Sequence, residues 1–162
     1  MKKRCNMLLA CLACALLTAC GAGGGAGQQG YDPALVQALV QAGAFSEELE
    51  ELDGDTAFVL YRLAEYGFVR EDLADCAVVR SAGATCEEGA VLVLSPAAQA
   101  RVQDARQAIE DYVQRQIEDN RDYRPSEIPK LEQAMVSAQG ATVLLVVAGD
   151  LQVAEAALEE NT

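Results

Sequence analysis

The side chains able to do covalent or metal chemistry in this sequence are cysteines and carboxylates, because histidine is absent. Without an imidazole, neither Ser-His-Asp nor Cys-His catalysis is available, and zinc has no histidine ligand. The chain carries 25 acidic and 12 basic residues. Among so many carboxylates some lie close together by chance, so Asp119 with Asp122 does not indicate acid/base catalysis. The sequence predicts no catalytic residue, no cofactor and no metal site, and therefore a protein that is not an enzyme.

Cys20 is the cysteine whose surroundings indicate a chemical role. Residues 2–4 are basic and precede the largely apolar stretch Met7–Ala19, which is the layout of a secretory signal peptide. Leu17-Thr18-Ala19-Cys20 resembles the lipobox of bacterial lipoproteins, where a peptidase cuts ahead of a cysteine that carries diacylglycerol. Two acyl chains give stable anchoring, whereas one gives only marginal binding. We therefore expect residues 1–19 to be a signal peptide and Cys20 to be the lipid attachment site.

The alternative is an ordinary secretory signal with incidental cysteines, since Cys5, Cys11 and Cys14 lie in the same region. A permanent membrane span is not expected, because the apolar stretch is shorter than the about 20 residues that a spanning helix needs. The leading interpretation places the protein on the extracytoplasmic face of the cell membrane. The protein would contact the membrane through the lipid on Cys20.

The segment after Cys20 is glycine-rich and separates the anchor from the rest of the chain. Gly21–Gly30 contains only glycine, alanine and glutamine, which predicts a flexible tether. Residues 20–30 are thus the lipidated cysteine and tether, and residues 31–162 form a single domain. Loss of the three basic residues at 2–4 leaves 9 basic against 25 acidic residues, or 9 − 25 = −16. Such a charge repels phosphate backbones and excludes a nucleic-acid partner, while serving solubility more than the binding of cations.

Cys76 and Cys86 remain after export, and a disulfide between them stays an open possibility. A hairpin centred near Thr85 would place Cys76 opposite Leu94, whereas bridged Cα atoms must approach within about 7 Å. The pattern therefore favours a free Cys86 in a loop. Acidic residues 87 and 88 follow Cys86 and are expected to raise its pKa, which argues against a redox role.

The first part of the domain shows helical and then strand-like patterns. Asp53-Gly54-Asp55 is interpreted as a turn, since a calcium loop needs more oxygen ligands. The predicted elements are a helix from Pro33 to near Gly43, a helix over Thr56–Ala64, and strands over Cys76–Ser81 and Ala90–Leu94.

The second part predicts a long helix, a hairpin and a last helix. Ser95-Pro96 favours a helix start, and the residue before Pro125 is disfavoured in a helix. The predicted elements are a helix after Pro96 that ends before Tyr123, one turn over Glu127–Glu132, strands over Ala134–Ala138 and Thr142–Ala148, and a helix capped by Asp150 that buries Leu151, Ala154 and Leu158. Two strand-strand-helix units, preceded by short helices, predict an α+β class, two-layer domain. Its sheet would be mainly antiparallel and covered by helices on one face.

Several of these features together resemble the bacterial lipoprotein family catalogued as domain of unknown function 4358, small lipoproteins seen mainly in Gram-positive bacteria. The resemblance rests on the helix after Pro96, Tyr123 with Pro125, Lys130-Leu131-Glu132, and Gly140 before the valine-rich strand that leads to Asp150. These positions serve turns and packing equally well. Cys76 and Cys86 do not look like part of the family pattern. The resemblance implies a location and a domain type, but no activity.

The leading functional interpretation is a non-enzymatic envelope module that binds a protein or cell-wall partner. The alternative is a small-solute or ion-binding receptor component, although the chain is short for a two-lobed receptor. An enzyme that uses carboxylates alone would need a deep cleft holding paired acids with separated pKa values.

Overall fold

The computed structural model describes residues 30–83 and 85–161. The predicted signal peptide, the lipid attachment site Cys20 and the tether up to residue 29 lie outside the described residues. The helices are α1 (Ala34–Ala42), α2 (Gly54–Leu60), α3 (Val102–Asn120), α4 (Ile128–Glu132) and α5 (Leu151–Asn161). The strands are β1 (Glu50–Leu52), β2 (Leu73–Arg80), β3 (Glu88–Leu94), β4 (Met135–Gln139) and β5 (Thr142–Val147). Short 3₁₀ turns cover Leu63–Tyr66, Arg70–Asp72 and Gln99–Arg101.

The five strands form one antiparallel sheet in the order β1-β2-β3-β5-β4. Two hairpins, β2–β3 and β4–β5, meet in the middle, where Glu88 pairs with Val147 and Val93 with Thr142. Each hairpin is followed by a helix, α3 or α5. The α+β class and the antiparallel sheet are therefore confirmed. β1 adds an edge strand from an acidic segment that the sequence did not mark as a strand.

Helices cover both faces of the sheet, which corrects the expectation of two layers with helices on one face. One face of β3 and β5 packs against α1 and α5. The other face packs against α3 and the segment around α2. Every residue of β5 is buried, as are all but one of β3. Continuous apolar strands of this kind belong to sheets with two covered faces, whereas a half-exposed strand alternates apolar and polar residues.

Local capping explains three of the helix boundaries. α1 ends at Gly43, whose φ of 82° is the left-handed conformation that glycine adopts without strain. The Asp53 carboxylate accepts the Thr56 N–H at 2.7 Å, so Asp53 is the N-cap of α2. Asp150 caps α5 by accepting the Val153 N–H at 3.1 Å, as predicted.

Two details of the helices differ from the sequence expectation. α3 begins at Val102, because the Ser95 carbonyl accepts the N–H of Ala98 and Gln99 and a 3₁₀ turn follows. In α5, Ala154 and Ala157 are the buried residues, whereas the predicted Leu151 and Leu158 are half-buried. Across residues 30–83 and 85–161, the structure contains no helix with both the length and the apolar character needed to span a bilayer.

Candidate functional site

A cleft of about 390 Å³ opens at the end of the sheet where β2 ends and β3 begins. We call it the Arg80–Arg124 cleft, after the two arginines that line it. Its polar lining comes from the end of β2 and from the C-terminal end of α3 and the residues after it: Arg80, Ser81, Gln116, Asn120 and Arg124. Its apolar lining comes from β1 and α2, which contribute Leu52 and Leu60 together with Thr56 and the exposed Glu50. The cleft thus combines guanidinium groups with an apolar wall.

A buried carboxylate holds Arg80 in this cleft. Glu88 is 3% exposed, and its two oxygens accept the hydroxyls of Tyr61 and Tyr112, each at 2.6 Å. Arg80 Nε lies 3.5 Å from Glu88 Oε2. The Arg80 side chain is 33% exposed, so it connects the buried carboxylate to the cleft. A buried charge requires such partners, because burial alone is costly.

Burial shifts the pKa values of this network. Burial raises the pKa of Glu88 above its ordinary value, against the opposing effects of the tyrosine hydrogen bonds and Arg80. Burial and the neighbouring Glu88 also raise the pKa of Tyr61 and Tyr112. Both tyrosines therefore keep their protons at neutral pH and act as donors. Their rings pack edge to face with centroids 5.0 Å apart, a favourable geometry for aromatic pairs.

Arg124 is the second guanidinium of the cleft. It follows the C-terminal end of α3, and its backbone N–H donates to the Asn120 carbonyl at 2.8 Å. Its guanidinium lies beside the Cys86 thiol and lowers the pKa of that thiol, against the larger opposing effects of burial and Glu127. Within the described residues, Arg124 forms no ion pair with a carboxylate. It is therefore a cation with its charge available to a ligand.

A second buried carboxylate, Glu87, serves the fold. Its oxygens accept the Ser46 N–H and Oγ–H, both at 2.6 Å, and the Lys130 ammonium at 3.0 Å. Lys130 also lies 2.7 Å from Glu127. Burial lowers the pKa of Lys130, but its hydrogen bonds to Glu127 and Glu87 outweigh burial and the net pKa is raised. This cluster ties α4, the loop after α1 and the start of β3 together.

Both cysteines of the described domain are free thiols. In the β2–β3 hairpin Cys76 pairs with Leu92, whereas the predicted register placed it opposite Leu94. The shift of two residues arises because Arg80 pairs with Glu88, which moves the centre of the hairpin to one residue before Thr85. Cys86 lies just before β3, away from the middle of β2, so the structure places the two thiols apart.

The pKa of each thiol is raised, and burial is the largest cause. For Cys86 the next cause is Glu127, whereas Glu87 and Glu88 bind other partners. The predicted direction for Cys86 is confirmed, with a different carboxylate responsible. A raised pKa lowers the thiolate fraction and so the reactivity of a cysteine.

The remaining candidate residues do not converge on a site. Asp119 and Asp122 are exposed at the end of α3. Among residues 30–83 and 85–161, no three metal-binding side chains lie close enough together to hold an ion. Sequence reasoning missed the buried Glu88. The available signal was Tyr112, because a tyrosine inside the apolar stripe of α3 requires a buried hydrogen-bond acceptor.

Comparison with known proteins gives one match. The family described as Domain of unknown function (DUF4358) matches residues 59–148. The match spans β2 to β5 with α3 and α4, and includes both arginines of the cleft, whereas α1, β1 and α5 lie outside it. Searches of curated proteins and of solved structures found no match. Because residues 59–148 are more than half of the 162-residue chain, the protein belongs to the DUF4358 family.

Proposed function

We propose that this protein is a lipoprotein held on the extracytoplasmic face of the cell membrane through a lipid on Cys20, and that its domain is a non-enzymatic binding module. The proposal joins the N-terminal sequence pattern to one observation on the described domain. That observation is the position of the first described residues relative to the Arg80–Arg124 cleft.

The chain enters the domain at one end of the sheet. The Tyr31 N–H donates to Thr142 Oγ1 at 2.7 Å, and the Tyr31 hydroxyl is hydrogen-bonded to Ser137 Oγ at 2.8 Å. Thr142 begins β5 and pairs with Val93, near the end of β3. Any anchor N-terminal to Tyr31 therefore approaches the domain at this end of the sheet, which we call the tether end.

The cleft lies at the other end of the sheet. Arg80 pairs with Glu88, and Glu88 pairs with Val147, the last residue of β5. Thr142 and Val147 are five residues apart, which is roughly 17 Å along a strand. The ten peptide units from Cys20 to Gly30 span at most about 35 Å. A lipid on Cys20 would therefore keep the domain near the membrane and attach it at the end of the sheet opposite the cleft.

The chemistry of the described groups supports binding over catalysis. The Glu88 carboxylate and the two tyrosine hydroxyls are used to hold Arg80, and both thiols have raised pKa values. Catalytic cysteines instead have lowered pKa values, because the thiolate is the nucleophile. The acidic charge of the chain further favours contact with the membrane through the lipid alone, because an acidic surface repels anionic headgroups. The same charge opposes a nucleic-acid partner.

The second candidate is a small-solute receptor component. The observation that favours it is the size of the Arg80–Arg124 cleft, about 390 Å³, because ligand pockets commonly measure about 300–1,000 Å³. A protein or cell-wall partner remains the first candidate, since the cleft is open at an exposed end of the molecule.

Anchoring is tested by replacing the proposed lipid-bearing thiol. The Cys20→Ser variant loses the nucleophile that takes the diacylglycerol. We expect it to lose incorporation of radiolabelled palmitate and to leave the membrane fraction in which the unaltered protein is found. Cys14→Ser is the matched control and retains the label. Equal labelling of the Cys20→Ser variant and the unaltered protein contradicts the proposed anchor.

A further inference from the structure

We infer that the Arg80–Arg124 cleft binds a ligand that carries a carboxylate next to a small apolar group. Two sources share this chemistry, a free amino acid and the C-terminus of a short peptide. The inference rests on the proposed binding function and names the ligand class for that function.

Arg124 supplies the charge for the carboxylate. Arg124 is half-buried in an otherwise exposed segment, and it has no carboxylate partner among the residues that the structure describes. By contrast, the arginines at 62, 70, 101 and 106 each form an ion pair. Arg115 and Arg121 also lack an ion pair among the described residues, but of these three arginines only Arg124 lines the cleft. A guanidinium can bind a carboxylate through two parallel hydrogen bonds.

Arg80 supplies a second guanidinium that is held in place before a ligand arrives. Its buried partner Glu88 is itself fixed by two tyrosine hydroxyls. A side chain that is already ordered loses less conformational entropy when it binds. Arg80 therefore adds a positioned donor group at the polar side of the cleft.

The carboxylates around the cleft disfavour a ligand with two negative charges. Arg80 and Arg124 are opposed by the exposed Glu50 and by Glu88 behind Arg80. A phosphate, with nearly two negative charges at neutral pH, would be repelled by both carboxylates. A carboxylate carries one charge, and the Glu50 side chain is also suited to the ammonium group of a free amino acid.

The apolar lining of the cleft would bind the small apolar group of the ligand. Leu52 and Leu60 line the cleft together with the arginines, and both pack on the main core. Beside them lies a shallower groove of about 500 Å³ formed by Thr56, Val59 and Leu60, with Asp55 at its edge. Val59 is 73% exposed in this groove. Contact with a small apolar side chain would remove this apolar surface from water, which favours binding.

The experiment is isothermal titration calorimetry on the full chain purified in detergent. The probes are N-acetyl-alanyl-alanine, free alanine, and N-acetyl-alanyl-alanine amide, which lacks the carboxylate. The variant is Arg124→Gln, and its matched control is Arg121→Gln, which removes an exposed arginine of the same segment outside the cleft. Arg80 is left unaltered because its loss would leave the buried Glu88 without its cation.

We expect one carboxylate probe to bind and the amide to bind at least about tenfold more weakly, since charge-assisted hydrogen bonds are the stronger class. Arg124→Gln is expected to weaken binding by a similar factor, and Arg121→Gln to leave it unchanged. Binding of the peptide alone identifies a chain terminus as the ligand, and binding of alanine alone identifies a free amino acid. Equal affinity for peptide and amide overturns the inference without reference to any variant.

Absence of binding by both carboxylate probes also overturns it. That outcome leaves the proposed function standing, because lipid labelling at Cys20 and crosslinking to a partner in cells do not depend on this ligand class. Failure of those two experiments removes the proposed function itself.

Discussion

At the scale of single residues, two neighbouring glutamates at the start of β3 have different environments. Glu87 immediately precedes β3 and Glu88 is its first residue. Because successive side chains of an extended chain point to opposite faces, the two glutamates leave the backbone in opposite directions. Glu88 meets two tyrosines and Arg80, and Glu87 meets Ser46 and Lys130. Both are almost fully buried, and each is satisfied by several donors. Glu88 positions Arg80 in the cleft, and Glu87 holds the surrounding segments of the fold together.

Replacing Lys130 with methionine tests the structural role of Glu87. The Glu87 side chain is fully buried, so Lys130→Met leaves its charge with only the Ser46 donors. We expect the free energy of unfolding to fall by about 2–4 kcal/mol, because removing one partner of a buried pair is strongly destabilising. Urea denaturation followed by circular dichroism measures the change.

The control for that variant is Arg62→Met. Arg62 forms an exposed ion pair with Glu65 at 3.7 Å, and such pairs contribute about 0–1 kcal/mol. A loss for Lys130→Met no larger than for Arg62→Met would contradict the assigned role of Glu87.

At the scale of elements, the sheet carries a helical layer on each face. Leu144 packs with α1 and α5, and Leu145 packs with α3. These adjacent leucines are 2% and 1% exposed. They therefore provide a matched pair of residues of one type on opposite faces of one strand.

Leu144→Ala and Leu145→Ala are both expected to lower the free energy of unfolding by about 2–5 kcal/mol, the range for a buried leucine that leaves a cavity. Each variant is the control for the other in urea denaturation. A loss below about 1 kcal/mol for either residue would mean that its face of the sheet is exposed.

Most helices and strands could be predicted from the sequence, but the order and packing of these elements could not. Helical spacing and alternation are local signals, so α1, the hairpins and the end of α3 before Tyr123 were predictable. The order of the strands was not, because pairing of β3 with β5 joins residues more than 40 positions apart. The two-sided burial was available from the unbroken apolar runs in β3 and β5. The start of α3 was misplaced because Ser95 begins a turn instead of a helix.

The cleft could not be predicted from sequence patterns either, because its residues are far apart in the chain. Arg80 ends a strand, and Arg124 follows a helix, so no common spacing connects them. Only the packing of α3 against the sheet brings both to one end of the molecule. The same packing explains why Tyr61 and Tyr112 meet at Glu88.

At the scale of the whole molecule, the sheet separates two ends with different roles. The chain enters beside Thr142, and the Arg80–Arg124 cleft opens at the opposite end. This arrangement, together with the N-terminal sequence, is the basis of the proposed membrane-anchored binding module. Its central claim is that the end far from the tether contacts the partner.

The most direct test is photo-crosslinking in intact cells from two exposed alanines. A photoreactive amino acid at Ala82 stands at the rim of the cleft, and one at Ala97 stands near the tether end. The account predicts a specific crosslinked product from position 82 and none from position 97. No specific product from position 82, or the same product from both positions, would contradict it.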